Sequence, residues 1–271
     1  MQSRFIPYKN SSIHYCLYGT GGKPLFCFHG YGEDATGFAC LEDGLGKEYI
    51  IIAIDLPFHG QTQWNEGLNL LPGDLVKIIY DIRDAVLPVE TATIELLGYS
   101  MGGRVVLQLL QLVPQQIKRA VLVAPDGLHK NPWYVFSTQT FIGNRLFRRT
   151  AHNAGWLFWL LKAGERYKLA HQSIIKVAHY YLDDSGERLK LYKRWTTMRR
   201  FKPKLTLIKK FIKQNSITVR FLFGRYDNII LSERSAIFKE DNQNVQVHVI
   251  NAGHRLMQQK YAGEITKLFY Q

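Results

Sequence analysis

The stretch LLGYSMGGRVVLQLL, residues 96–110, sets one serine among three glycines, between an apolar run and an amphipathic one. Upstream, ATIELLGYS has the continuous apolar character of a buried strand, and downstream MGGRVVLQLLQLV repeats apolar residues at helical spacing up to Pro114. Ser100 therefore sits on a strand-to-helix turn. Gly98 and Gly102, two residues before and after it, let strand and helix approach without a clashing Cβ. A tight turn alone would explain the glycines. A hydroxyl held up for attack would explain the serine as well.

The same alternation extends in both directions. SIHYCLYG has period-two character, while PLFCFHG, YIIIAIDLP, ATIELLGYS and IKRAVLVAP read as buried strands. LLPGDLVKIIYDIRDAVLP is a helix with Pro72 in its first turn and Pro88 beyond its end. The pattern breaks after Pro125, gives way to helical patterns such as AGWLFWLLKAGERYKLAHQSIIKVAHYYL, and resumes with SITVRFLFGRYD, LSERSAIFKE, VQVHVINAGH and a final helix. Apolar strands separated by helices predict an α/β domain with a mostly parallel sheet covered on both faces. The expected organisation is a core of residues 1–125 and 216–271, with a helical insertion at 126–215.

Composition narrows the class. Of 271 residues 46 % are apolar, enough for a sizeable core. Cys16, Cys27 and Cys40 are few, odd in number and without metal-ligand spacing, which points to a reducing compartment. The first residues contain no apolar signal core, and no stretch is apolar enough to span a bilayer, so a soluble cytoplasmic protein is expected. The net charge of +13 is unevenly placed. Residues 126–215 hold 19 Lys or Arg against 5 Asp or Glu, whereas the remainder is nearly balanced.

Five short stretches fall at the C-terminal ends of predicted strands, the edge where open α/β sheets bind ligands. They are HGYG (29–32), DLPFHG (55–60), GYSMGG (98–103), GRYD (224–227) and AGH (252–254). Taken together they make the chain resemble the α/β-hydrolase superfamily over its whole length. That resemblance makes GYSMG a nucleophile elbow and the insertion a cap. It implies Ser100 as nucleophile, His254 as base and Asp227 as the acid that orients the imidazole. Oxyanion donors are then the backbone N–H groups of Met101, after the serine, and Tyr31, after His29–Gly30. Asp126, after the preceding strand in VLVAPDGL, is the alternative acid, because some members place theirs there. His29, His59 and Asp55 read as loop anchors.

A serine at the elbow, rather than the aspartate of dehalogenases and epoxide hydrolases or the cysteine of dienelactone-type hydrolases, implies ester or thioester hydrolysis. Neither a metal nor an organic cofactor is implied. A non-catalytic ligand- or carrier-binding protein on the same fold is the competing class, though such proteins usually lack a triad member. The basic insertion carries RLFRR, RLKLYKR and RRFKPK together with Trp133, Trp156, Phe158, Trp159, Tyr180, Tyr181, Trp195 and Phe201. A solvated face over a small aromatic core is the plain explanation. Recognition of an anionic small-molecule ester, or of an ester on an acidic carrier protein, is the functional one. In plan the chain resembles carrier-protein methyl ester esterases. A lysophospholipase or lipase resting on anionic lipid is less favoured, and no nucleic-acid-binding motif accompanies the charge.

Overall fold

The computed structural model describes residues 1–87, 93–166, 183–239 and 242–271. Eight strands form one sheet: β1 (Gln2–Tyr8), β2 (Ser11–Tyr18), β3 (Lys23–Phe28), β4 (Tyr49–Ile54), β5 (Ile94–Tyr99), β6 (Ile117–Val123), β7 (Thr218–Gly224) and β8 (Val245–Ile250). Their order is β1-β2-β4-β3-β5-β6-β7-β8. The first two pairings are antiparallel and all the others parallel. Strands β3 to β7 are buried almost throughout, which is why they read as unbroken apolar runs rather than alternations.

Helices follow in chain order as α1 (Pro72–Val86), α2 (Met101–Leu112), α3 (Pro132–Gln139) and α4 (Phe141–His152). Then come α5 (Gly155–Arg166), α6 (Ser185–Thr197), α7 (Leu205–Gln214) and α8 (Ala262–Lys267). Pro72 opens α1 at a position where its missing N–H costs nothing, and Asp74 reaches back to accept from Leu71 N–H at 3.1 Å. Part of the helical pattern expected over 154–182, and Pro88, lie outside the described residues.

One strand is added and one expectation changes. The N-terminal QSRFIPY is a strand, paired to β2 from Gln2↔Leu17 to Tyr8↔Ser11. Its side chains are mostly exposed, so hydropathy gives no hint of it. SIHYCLY, read as alternating, is buried on nearly every residue and lies inside the sheet between β1 and β4.

The chain divides into two compact units: residues 1–66, 70–129 and 201–271, and residues 67–69 with 130–200. The second unit is narrower than the basic segment 126–215. Helix α7, despite Lys209 and Lys210, buries Ile208 and Ile212 and packs on α2 within the sheet unit. Within the second unit, Asn131, Thr140 and Asp184 cap α3, α4 and α6 with side-chain oxygens. Its core is aromatic: Tyr134 meets Trp195 at 5.3 Å, and Phe147 meets Tyr192 at 5.3 Å. Among the described residues no helix is long and apolar enough to cross a membrane.

Candidate active site

Because β3 to β8 run parallel, the residues after each strand gather along one edge of the sheet. Ser100 follows β5 with φ +48° and ψ −113°, a conformation that costs a residue bearing a Cβ about 1–3 kcal/mol. Hydrogen bonds hold it there. Ser100 N–H donates to Val123 O at 3.0 Å, and Ser100 O accepts from Gly103 N–H at 2.9 Å and Asp126 N–H at 2.8 Å. The glycines have steric reasons. A Cβ on Gly98 would sit 2.5 Å from Gly102 O, and one on Gly102 would sit 1.9 Å from Phe28 O and 2.9 Å from His29 O.

Ser100 Oγ lies 3.0 Å from His254 Nε2, and His254 Nδ1 lies 2.7 Å from Asp227 Oδ2. Asp227 accepts at its other oxygen from Ile229 N–H (2.8 Å) and Ile230 N–H (2.9 Å), and its side chain is wholly buried. Those two backbone donors are matched to the carboxylate, so the imidazole places its proton on Nδ1 and leaves Nε2 to accept from the Ser100 hydroxyl. Asp126, the alternative acid, is engaged elsewhere, accepting from Arg104 and from Gly127 N–H.

Met101 opens α2, so its N–H belongs to the first turn, where intrahelical acceptors are lacking. Tyr31 stands at the end of β3 in a turn closed by Glu33 N–H on Gly30 O at 3.3 Å, with Gly32 at φ +77°. The close approach of Gly102 to His29 O brings these two segments side by side. His29 braces the turn: its Nδ1–H donates to Gly30 O at 2.8 Å and its Nε2 accepts from Leu56 N–H at 3.0 Å. The Tyr31 ring meets His59 edge-on at 6.1 Å, and His59 donates through Nδ1 to Pro57 O.

Asp55 accepts from Ala35 N–H (2.6 Å), Gln61 N–H (2.8 Å) and His14 Nδ1–H (2.6 Å), which ties the segment after β3, the loop after β4 and strand β2 to the end of β4. Two further residues brace the site without any motif of their own. Tyr99, directly before the serine, donates its hydroxyl to His254 O at 3.1 Å, and burial pushes its pKa up, so it remains a donor. Glu33 accepts from Gly30 N–H at 3.3 Å, bracing the Tyr31 turn from the other side. Tyr99 lies within the glycine-rich stretch itself, but a strand-end tyrosine carries no sign of what it faces. Among the described residues no cluster of three or more His, Cys, Asp or Glu could hold a metal ion.

A family profile described as "alpha/beta hydrolase fold" matches residues 23–259. The chain is 35 % identical over 112 residues to the dihydrolipoyllysine-residue acetyltransferase component of an acetoin cleaving system from Pseudomonas putida, covering 41 % of this chain and 29 % of that one. It is 31 % identical over 130 residues to the uncharacterized hydrolase YugF of Bacillus subtilis, covering 47 % and 46 %. The alignments thus span less than half the length of these relatives. A thermophilic esterase from Thermogutta terrifontis superposes with a TM-score of 0.68 at 18 % identity, over 100 % of this chain and 97 % of that one.

Proposed function

The chain belongs to the α/β-hydrolase fold family, and from that premise we propose that it is a serine hydrolase cleaving a carboxylic ester or thioester through an acyl-enzyme. One observation carries the reading: the unbroken hydrogen-bonded relay from Ser100 Oγ through His254 to the buried Asp227. Ser100 Oγ attacks the acyl carbon while His254 Nε2 takes its proton. The new oxyanion accepts from Tyr31 N–H and Met101 N–H, each donor contributing about 3–4 kcal/mol. Asp227 steadies the imidazolium. Collapse breaks the bond to the alcohol or thiol, which leaves with the proton from His254. Water, deprotonated by the same imidazole, then releases the acid and frees Ser100.

The esterase likeness supports this class without specifying a substrate. A binder on the same fold would have no use for a strained serine aligned with a histidine held by a buried aspartate. Three cysteines outside any disulfide, two of them buried, suit a reducing compartment such as the cytoplasm. The test is hydrolysis of a chain-length series of p-nitrophenyl esters and thioesters, with fluorophosphonate labelling of the parent and Ser100→Ala. Turnover and labelling should both vanish in the variant, with kcat down by roughly 10^4 or more. Labelling that persists in Ser100→Ala, or turnover indifferent to it, refutes the assignment.

A further inference from the structure

The outward face of α4 has no role in the site described above, and its chemistry is specific. Gly143, Thr150 and Ala151 face inward and are buried, and Phe147 packs on Tyr192 and Trp195. The opposite side presents Phe141 (79 % exposed), Ile142 (67 %) and Leu146, with Arg145, Arg148 and Arg149 beside them. These positions fall on one half of the helix surface at 3.6 residues per turn. No Asp or Glu occurs anywhere from Asn131 to Gly164. Trp133 and Trp159, on α3 and α5, are 77 % and 71 % exposed.

We propose that this face of α4 docks the protein on an anionic phospholipid surface. A protected core does not leave two adjacent large apolar side chains this open, and a merely solvated face does not gather them with arginines. At a lipid interface both groups are satisfied together. Phe141, Ile142 and Leu146 enter the acyl boundary, while the three guanidinium groups, on long stems, pair with headgroup phosphates. Exposed tryptophans are also the side chains that settle at headgroup level. An acidic protein partner would answer the arginines, but would still have to cover the apolar residues. Each arginine near an anionic surface is expected to strengthen binding about fivefold.

The experiment is co-sedimentation of the full chain with vesicles of phosphatidylcholine alone and of phosphatidylcholine with phosphatidylglycerol. Ester hydrolysis on a soluble substrate serves as the check that each variant is folded. The parent should bind the anionic vesicles, lose affinity as salt rises, and bind the neutral ones weakly. The pair Phe141→Ser with Ile142→Ser should lower vesicle binding by at least about tenfold, and Arg145→Gln, Arg148→Gln and Arg149→Gln together by about 100-fold. Soluble ester turnover should be unchanged in both. If neither vesicle binds, the proposal falls. It falls equally if the apolar pair has no effect and polyaspartate competes fully, because the face is then a general anion patch suited to an acidic protein. Loss of soluble ester turnover in Ser100→Ala, with vesicle binding intact, would keep the catalytic reading and this one separate.

Discussion

Gly102→Ala tests the site through a single methyl group. The new Cβ would lie 1.9 Å from Phe28 O and 2.4 Å from Phe28 C, both backbone atoms of the central strand β3. No rotamer relieves that contact, so α2 must retreat from β3 by roughly 1 Å to reach even 3.0 Å, the limit real Cβ contacts approach. The retreat has a direction. Met101 N–H moves with α2 while Tyr31 N–H stays with the β3 loop, so the two proposed oxyanion donors separate. A misplacement of about 1 Å costs on the order of 100-fold in rate, in line with weakening one such donor. Overpacking should also cost about 1–3 kcal/mol, lowering Tm by roughly 2–10 °C.

The control is Gly253→Ala. It adds the same methyl group next to His254, but nothing lies within 4 Å of that Cβ. Steady-state hydrolysis of a short p-nitrophenyl ester and a thermal melt of both variants are sufficient. Gly102→Ala should lose about 100-fold in kcat with KM little changed, because the affected contacts strengthen in the transition state. Gly253→Ala should match the parent in both measurements. A folded Gly102→Ala enzyme with parental kcat would refute the link between this close approach and the oxyanion donors.

Asp227→Asn should reduce kcat by about 10^4 through loss of the tautomer that faces Ser100, whereas Asp126→Asn should change kcat only a few-fold while lowering Tm through loss of the Arg104 pair. The reverse ranking, read from kcat, would make Asp126 the acid. Tyr99→Phe removes the hydroxyl from His254 O and should cost about 1 kcal/mol, or roughly fivefold in kcat/KM; unchanged kinetics would reduce Tyr99 to packing. Asp74 binds the Tyr8 hydroxyl at 2.6 Å, and although burial opposes its ionisation, that bond and the Leu71 N–H hold its pKa below the ordinary range. Its stabilisation is therefore complete above about pH 4 and is lost as pH falls through the lower native value. Asp74→Asn should be destabilised by about 1 kcal/mol at neutral pH, with the difference closing in acid; a gap in urea midpoint that does not change with pH would show that the charge is irrelevant.

The sheet was legible in the sequence where burial on both faces forced continuous apolar runs, as in YIIIAI and IELLGY. It was illegible where pairing, rather than burial, makes the strand. QSRFIPY holds its place through register with β2, and no side-chain pattern reports that. The basic segment 126–215 and the compact unit 130–200 differ in extent for a related reason. Basic charge grouped Lys209 and Lys210 with the preceding segment, yet charge describes a helix's solvent side, and the packing of α7 is decided by Ile208 and Ile212. Within the insertion, composition showed aromatics and arginines together but not their separation. Trp195 packs on Tyr134 and Phe147 while Trp133 stands exposed, and only the direction of each side chain distinguishes them. The motif residues were legible because their chemistry requires residue types at fixed places in the strand-and-turn pattern. Tyr99 and Glu33 act through a main-chain carbonyl and a main-chain N–H, for which many residue types would serve.

Ser100 also breaks a local rule, and the size of that breach can be measured. Its φ of +48° with ψ of −113° suits glycine, yet the position carries a Cβ. Comparing Ser100→Ala with Ser100→Gly isolates the strain, since both lack Oγ and both lose the contact with His254. At an ordinary position alanine would be the more stable by about 0.4–1 kcal/mol, because glycine leaves the unfolded chain freer. At this position relief of about 1–3 kcal/mol should outweigh that entropy and reverse the order. Urea denaturation of the two variants therefore gives a sign rather than a small difference. If glycine is the more stable, folding energy is being spent to hold a side chain where only a reacting hydroxyl benefits. If alanine is, the turn is unstrained and the serine's exposure needs another explanation.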